Sequence, residues 1–329
     1  MTLEQLLNRF DSVDRSLVVV NRTDPDPVLH MLTDTFGERA VDVIDGTTPR
    51  LTESFDDASH GAETARSTGS MRTAECASRK TNGGSGTTVP ETLEIDIEAL
   101  AATDVVSFDG DTSVPVENLV LLVEDETVIA GATLAELGDA VLFVNSDLYM
   151  TGSRTLDEIE LPSVITGLSD TTFTLQGYPE SNRQKLLLIT ISRFIERVAW
   201  NAGDGTLRSS FQRLSRLDDE VGTKHVYDRV ATTGVDTHLY GVPDEVPRDL
   251  DAVIHGGTSP DFTDSWFVVY RPPAGATGVP AADESDLQRG IKGGVGLLAV
   301  ETAPRVWRGC WTFDPDRVHE INRYIERRL

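Results

Sequence analysis

Lysine is scarce in this sequence, and negative charge far outweighs positive charge. Only four of the 29 basic residues are lysines, against 54 acidic residues, so the formal net charge is -25. A field of this sign repels nucleic-acid phosphates and anionic lipid headgroups, because a protein that binds either must supply Lys and Arg. We therefore expect no nucleic-acid partner and no membrane partner. An acidic, lysine-poor surface also suits molar salt, where self-repulsion is screened, and this indicates the cytoplasm of a halophile.

Cysteine is nearly absent, and the histidines follow no metal-binding spacing. Cys76 and Cys310 lie far apart in the sequence and form no C-x-x-C motif, so we expect two reduced thiols. The six histidines include no H-E-x-x-H and no H-x-H pattern. The sequence therefore predicts no metal site, and it does not identify a cofactor.

Long apolar runs are missing as well. The longest, at 186–191, is far shorter than the roughly 20 residues of a membrane-spanning helix. Residues 1–10 contain no basic stretch followed by an apolar one, so no export signal is indicated. We expect a cytoplasmic protein.

Hydrophobic periodicity predicts an α/β protein with mixed β-sheets flanked by helices, in two associated α/β halves. In the N-terminal half it indicates a first helix and strand, a second helix starting at Asp26-Pro27, and a later hairpin followed by a short helix. Both halves show a similar order of elements, which suggests an internal duplication. We expect four segments: a β-α-β segment at 1–46, a polar flexible insert at 47–92, the rest of the N-terminal half at 93–178, and a C-terminal module at 179–329.

The C-terminal module contains the clearest helix signal, at 182–202, with one apolar face and Gly203 as its stop. Leucine and phenylalanine spacing then predicts a second helix over 207–217, and Thr223 is positioned to cap a third. Four strands and a final helix starting at Asp314-Pro315 complete the expected order.

Catalytic motifs are absent. The glycines at 83–86 precede no G-K-[ST], and no G-x-S-x-G elbow is present. Pairs of carboxylates are common in so acidic a chain and indicate a hydrated surface. We therefore expect a protein that is not an enzyme.

Aromatic residues are concentrated in the C-terminal half, where all four tryptophans lie. Tryptophan, with one polar edge on an apolar ring, is suited to line a ligand pocket, although core packing accounts for aromatics equally well. Glu196 and Gln212 are polar residues on what we expect to be two successive helices. The candidate ligand-binding residues are Glu196, Trp200, Phe211, Gln212, Tyr227, Trp266 and Trp311.

The C-terminal half resembles the DICT sensory-domain proteins of halophilic archaea. The resemblance is carried by SRFIERVAWNAGDGTLRSSFQRLS, YDRVATTGVDTHLYGVPD, SWFVVYR, LLAVET and RGCWTFDPDRVHEINRYI, which cover about 150 residues in the same order. It implies a sensory or input domain of signal transduction, and it brings no ligand or catalytic residue with it. Residues 179–329 would be this DICT-like module.

We expect a non-enzymatic sensor that binds a small molecule, or a partner protein, through the aromatic-lined module. Two alternatives stay open. One is an interaction module, in which the aromatic stretch binds a signalling protein or a second copy of the chain. The other is an enzyme of unrecognised type using Glu196, Arg197 and Gln212.

Overall fold

The structure is a computed structural model, and it describes only part of the chain. The described residues are 1–23, 41–47, 92–94, 117–143 without 126, 161–176, 182–246 without 220, 249–273 and 291–329, with the single positions 30, 32, 35 and 275. The helix start predicted at Asp26-Pro27 and the interior of the polar insert lie outside these residues, as does Cys76.

The described elements follow the predicted α/β alternation. The helices are α1 (Leu3–Leu7), α2 (Leu134–Phe143), α3 (Ser163–Gly167), α4 (Asn182–Ala202), α5 (Arg216–Asp219), α6 (Val221–Ala231), α7 (Pro260–Thr263) and α8 (Pro315–Arg328). The strands are β1 (Arg15–Val20), β2 (Val41–Thr47), β3 (Thr92–Glu94), β4 (Leu119–Glu124), β5 (Thr127–Thr133), β6 (Phe173–Gln176), β7 (Asp204–Arg213), β8 (Gly234–Val242), β9 (Val253–Gly256), β10 (Ser265–Arg271), β11 (Val295–Ala303) and β12 (Val306–Thr312).

Two mixed sheets contain these strands, and their topologies agree. The first sheet has the order β3-β2-β1-β4-β5, and the second has β6-β12-β11-β10-β7-β8-β9. In the first sheet β1, β2 and β3 are parallel, while β4 and β5 continue antiparallel on the other side of β1. In the second, β7, β8 and β9 are parallel, while β10 and β11 continue antiparallel on the other side of β7. The shared pattern confirms the expected fold class and supports the hypothesis of an internal duplication.

Helix α4 lies in the interior, and it is buried more completely than an amphipathic pattern predicts. It packs against β10, β7 and β11 of the second sheet and against α2 of the N-terminal half. Residues 186–196 are all buried, including Arg193 and Glu196. Because a helix covered on all sides has no solvated face, these two charged side chains must be neutralised by partners inside the protein.

The prediction of a second helix over 207–217 is wrong for most of that range. Residues 204–213 form strand β7, which pairs with β8 and β10. Leu207 and Phe211 are four residues apart, and this spacing places two side chains on one face of a strand as well as of a helix. Gly203 and Gly205 have φ of +67° and +100°, and these two residues turn the chain from α4 into β7. Of the predicted range, only Arg216 and Leu217, in α5, are helical.

The second sheet has a further core on its opposite face, formed with α1, α7 and α8. Asp314 caps α8, as the sequence predicts, and Val318, Ile321 and Ile325 are buried there. The apolar residues of α1 are buried in the same cluster, although they belong to the N-terminal end of the chain. Strand β6 likewise pairs with β12. The second sheet and its helices thus include residues that precede position 179.

Candidate functional site

A pocket lies in the second half between α4, α6 and the carboxyl end of β7. Its volume is about 60 Å³, and a water molecule takes up about 30 Å³ in the liquid, so the pocket accommodates about two water-sized groups. It is lined by Ile189, Ser192, Arg193, Glu196, Ser210, Phe211, Gln212, Arg216, Thr223, Tyr227, Trp266 and Val268. At β7 the sheet changes from parallel pairing with β8 on one side to antiparallel pairing with β10 on the other.

The pocket lies where the backbone pairing of β7 with β10 ends. Their pairing ends at Ser209 and Val268, and the register of β7 against β8 shifts after Ser210. Beyond that point side chains replace the backbone ladder. The Phe267 amide donates to Ser210 Oγ at 2.8 Å, and Gln212 Nε2 donates to the Ser265 carbonyl at 2.6 Å. Gln212 lies in the resulting β-bulge with a φ of +53°, and this backbone conformation directs its side chain toward Ser265.

The base of the pocket is a buried network of polar side chains. Arg193 Nη1 forms an ion pair with Glu196 Oε2, and both side chains are at most 4% exposed. Arg193 Nη2 donates to Thr223 Oγ1 at 2.7 Å, and the Tyr227 hydroxyl donates to Glu196 Oε1 at 2.6 Å. Burial, followed by the negative charge of Glu196, raises the pKa of Tyr227 well above its ordinary value. The network therefore holds a charged pair and a neutral phenol in fixed positions.

The wall of the pocket is aromatic. Trp266 Nε1 donates to Ser192 Oγ at 3.1 Å, which fixes the orientation of its half-buried indole. The rings of Phe211 and Tyr227 pack edge to face with centroids 5.4 Å apart. A ligand entering here would meet apolar ring faces whose polar edges are already satisfied.

Five of the seven residues named from the sequence line this one pocket: Glu196, Phe211, Gln212, Tyr227 and Trp266. Gln212 reaches it from a strand, not from the helix that the sequence predicts, because 204–213 is β7.

Trp200 and Trp311 lie elsewhere. Trp200 is half-buried, and the Arg229 guanidinium lies 5.7 Å from its ring centroid. Trp311 has no exposed surface and packs edge to face against Phe194 and Phe313 in the core. The sequence-based assignment of Trp311 to a pocket edge is replaced by a packing role.

Sequence reasoning missed Arg193, Arg216 and Thr223 as pocket residues, and Thr223, predicted to cap the third helix, is instead the third residue of α6. A signal for Arg193 existed, because it stands three residues before Glu196 in an otherwise apolar stretch of a helix. No comparable signal marks Arg216, which lies near the pocket through the turn after β7. Arg197, part of the enzymatic alternative, is half-buried and does not line the pocket.

A second cluster of titratable side chains lies on β8 and β9. His238 Nδ1 and His255 Nε2 are 2.9 Å apart, and His238 Nε2 lies 3.0 Å from Asp236 Oδ2. His255 stacks on Tyr240 with ring centroids 4.3 Å apart, and the Tyr240 hydroxyl accepts from Arg208 at 2.7 Å. Partial burial, then the positive charges of His238 and Arg208, lower the pKa of His255. The folded protein therefore favours neutral His255.

This cluster predicts a pH-dependent contribution to stability. Because the folded pKa of His255 lies below its ordinary value of 6.5, the unfolded chain binds the proton more readily, and stability is lost as pH falls below that value. We expect His255→Phe, which keeps the stacking, to remove this loss. Its size is no more than about 1 kcal/mol, because the ring is partly exposed.

Urea unfolding of wild type and variant between pH 7.5 and 5.5 measures this effect. The exposed His225 on α6 provides the control, as His225→Phe leaves the cluster intact. A stability difference between wild type and His255→Phe that does not change with pH would contradict the prediction.

Within the described residues, no three His, Cys, Asp or Glu side chains are grouped so that they could hold a metal ion. Among the helices of the same residues, none combines the length and apolar character needed to cross a bilayer. The Cys310 thiol is buried, and burial raises its pKa to about 12, so it is a poor nucleophile. The chain matches no protein-family model, no curated protein and no solved structure.

Proposed function

We propose that this protein is a non-enzymatic cytoplasmic sensor that binds a small molecule in the pocket between α4, α6 and β7. The observation that carries the proposal is a partly apolar pocket above a buried polar network, at the place where the backbone pairing of β7 with β10 ends. A protein that only needed a core would close this gap, because packing side chains to full density is more stable.

The chemistry of the network favours binding over catalysis. Glu196 accepts from Arg193 through one oxygen and from Tyr227 through the other, so its carboxylate is held as a structural anion. Tyr227 has a raised pKa and is itself engaged as a donor. Neither group is arranged to take a proton from a substrate at neutral pH.

The position of α4 suggests how occupancy would be transmitted. Arg193 and Glu196 at the base of the pocket belong to α4, and α4 also packs against α2 of the N-terminal half. A ligand that binds one position of α4 better than another would shift its population, and with it the contact to α2. The resemblance of residues 192–325 to DICT sensory domains favours the same role in signal transduction.

Native mass spectrometry tests the proposal. Protein in molar KCl is incubated with a small-molecule extract of a halophilic archaeon, exchanged into a volatile buffer and weighed. We expect a discrete added mass on wild type and at least about a tenfold lower occupancy of Trp266→Ala, since truncating a central aromatic contact removes much of the binding energy.

Trp200→Ala is the matched control, because Trp200 is also half-buried but lies outside the pocket lining. The proposal requires its occupancy to equal that of wild type. Added mass that is unaffected by Trp266→Ala would place the ligand elsewhere. A clean unliganded mass with a doubled protein mass would favour the alternative of a dimerisation module.

A further inference from the structure

We infer that the ligand of this pocket is a small organic monoanion, a carboxylate with a short apolar body, whose charged group binds Arg216. This inference rests on the proposed function and specifies the chemical class of the ligand. It derives from the balance of charge in the lining, from the way Arg216 is held, and from the size of the cavity.

The lining has an excess of one positive charge. Its formally charged members are Arg193, Glu196 and Arg216. The first two form an ion pair with each other, and Tyr227 occupies the second oxygen of Glu196. The charge that remains is that of Arg216. The chain has a net charge of -25, so the positive charge of the pocket lining is opposite in sign to that of the whole protein.

Arg216 is held in place although it is exposed. Its Nη1 donates to Gln212 Oε1, and Gln212 Nε2 in turn donates to the Ser265 carbonyl at 2.6 Å. Gln212 is itself only 7% exposed. The side chain of a surface arginine ordinarily samples many rotamers, so a chain of hydrogen bonds from β10 that fixes its guanidinium lowers the entropy cost of binding.

The guanidinium has donors to spare. Within the described part of the chain, no carboxylate is in ion-pair contact with Arg216, and Gln212 is its hydrogen-bond partner. A planar guanidinium fork matches a carboxylate in a bidentate pair. A single net positive charge is suited to a monoanion, whereas a phosphate dianion would need further cationic groups.

The apolar lining residues and the volume of the pocket determine the size and polarity of the uncharged part of the ligand. Trp266, Phe211, Ile189 and Val268 present apolar surface beside the arginine. The cavity of about 60 Å³ leaves room for about two water-sized groups, so the part of the ligand inside it is a short aliphatic chain and not a ring. Binding of a cation by Glu196 is disfavoured, because both of its oxygens already accept hydrogen bonds.

Isothermal titration calorimetry with matched probes tests the inference. Propionate and butyrate are compared with propionamide and butyramide, which have nearly the same shape and no charge, at constant molar KCl. We expect wild type to bind the better acid about two- to fivefold more tightly than its amide, because an ion pair at an exposed guanidinium is weak and is screened by the salt. We expect Arg216→Gln to remove this preference while binding of the amide persists.

Arg213→Gln is the control, because Arg213 is an exposed arginine on the same strand end, pairs with Asp244 and does not line the pocket. It changes the net charge equally and must leave the preference for the acid unchanged.

Amides that bind as tightly as acids would overturn the inference and leave the proposed function standing. The inference would also be overturned if neither acid binds. The mass-spectrometric experiment then decides separately whether the pocket binds any small molecule. An equal loss in Arg213→Gln and Arg216→Gln would show a general effect of charge and would likewise overturn it.

Discussion

Replacing Arg193 by methionine is expected to lower the free energy of unfolding by about 3–5 kcal/mol. Methionine fills the space of the arginine stem but leaves the Glu196 carboxylate buried in the interior without its cation. Both side chains are at most 4% exposed, so water cannot replace the lost partner. Urea unfolding in molar KCl, where general charge repulsion is screened, measures the change.

The double variant Arg193→Met with Glu196→Leu is the informative comparison. Because it removes both charges, it avoids the unpaired carboxylate, and we expect it to be more stable than Arg193→Met alone. Tyr227 then loses the acceptor of its hydroxyl, so stability does not return fully to that of wild type. A single variant within about 1 kcal/mol of wild type would show that the pair is not buried as described.

Trp311→Ala is expected to cost about 3–5 kcal/mol of stability, because it removes the largest fully buried side chain of the core. The cavity left between Phe194 and Phe313 is enclosed by α4 and β12, and the surroundings relax only partly. Thermal or urea unfolding measures the loss.

Trp307→Ala is the control for this prediction. Trp307 is on the same strand but only half-buried, so we expect it to cost less than half as much. Below its unfolding temperature, Trp311→Ala is expected to bind small molecules as wild type does. Loss of binding in a folded Trp311→Ala protein would contradict its assignment to the core.

Most elements of the fold could be predicted from local pattern. Helix α4 and helix α8 have the expected bounds, since Gly203 and Asp314 are strong end signals. Strand β7 could not be predicted in this way, because the spacing of Leu207 and Phe211 fits the period of a helix as well as that of a strand. The pairing of β7 with β8 and β10 decides between them, and such contacts are invisible in local sequence.

The candidate site could be predicted in part. The sequence predicts Glu196 and Gln212 as candidate ligand-binding residues, and the structure brings both to one pocket. Trp266 and Trp311 look alike in sequence, as each belongs to an apolar strand. Only the tertiary structure separates them, because the pairing of β10 with β7 ends near Trp266, whereas Trp311 has no exposed surface and packs against Phe194 of α4.

The burial of Arg193 could not be predicted from the sequence. Charged residues on a helix usually indicate its solvated face, and the periodicity of α4 leaves room for such a face. Helix α4 has none over residues 186–196, because the second sheet covers one side and α2 packs on another. A buried arginine of this kind is recognised only once both halves of the protein are in place.

The most direct test of the pocket is the indole N–H spectrum of ¹⁵N-labelled protein in molar KCl. The four tryptophans give four indole signals, and Trp266→Phe assigns the one that donates to Ser192. On addition of the small-molecule extract, we predict that the Trp266 signal shifts while that of Trp200 stays in place. A shift at Trp200 with Trp266 unchanged, or no shift at any indole, would contradict the assignment of a ligand to this pocket.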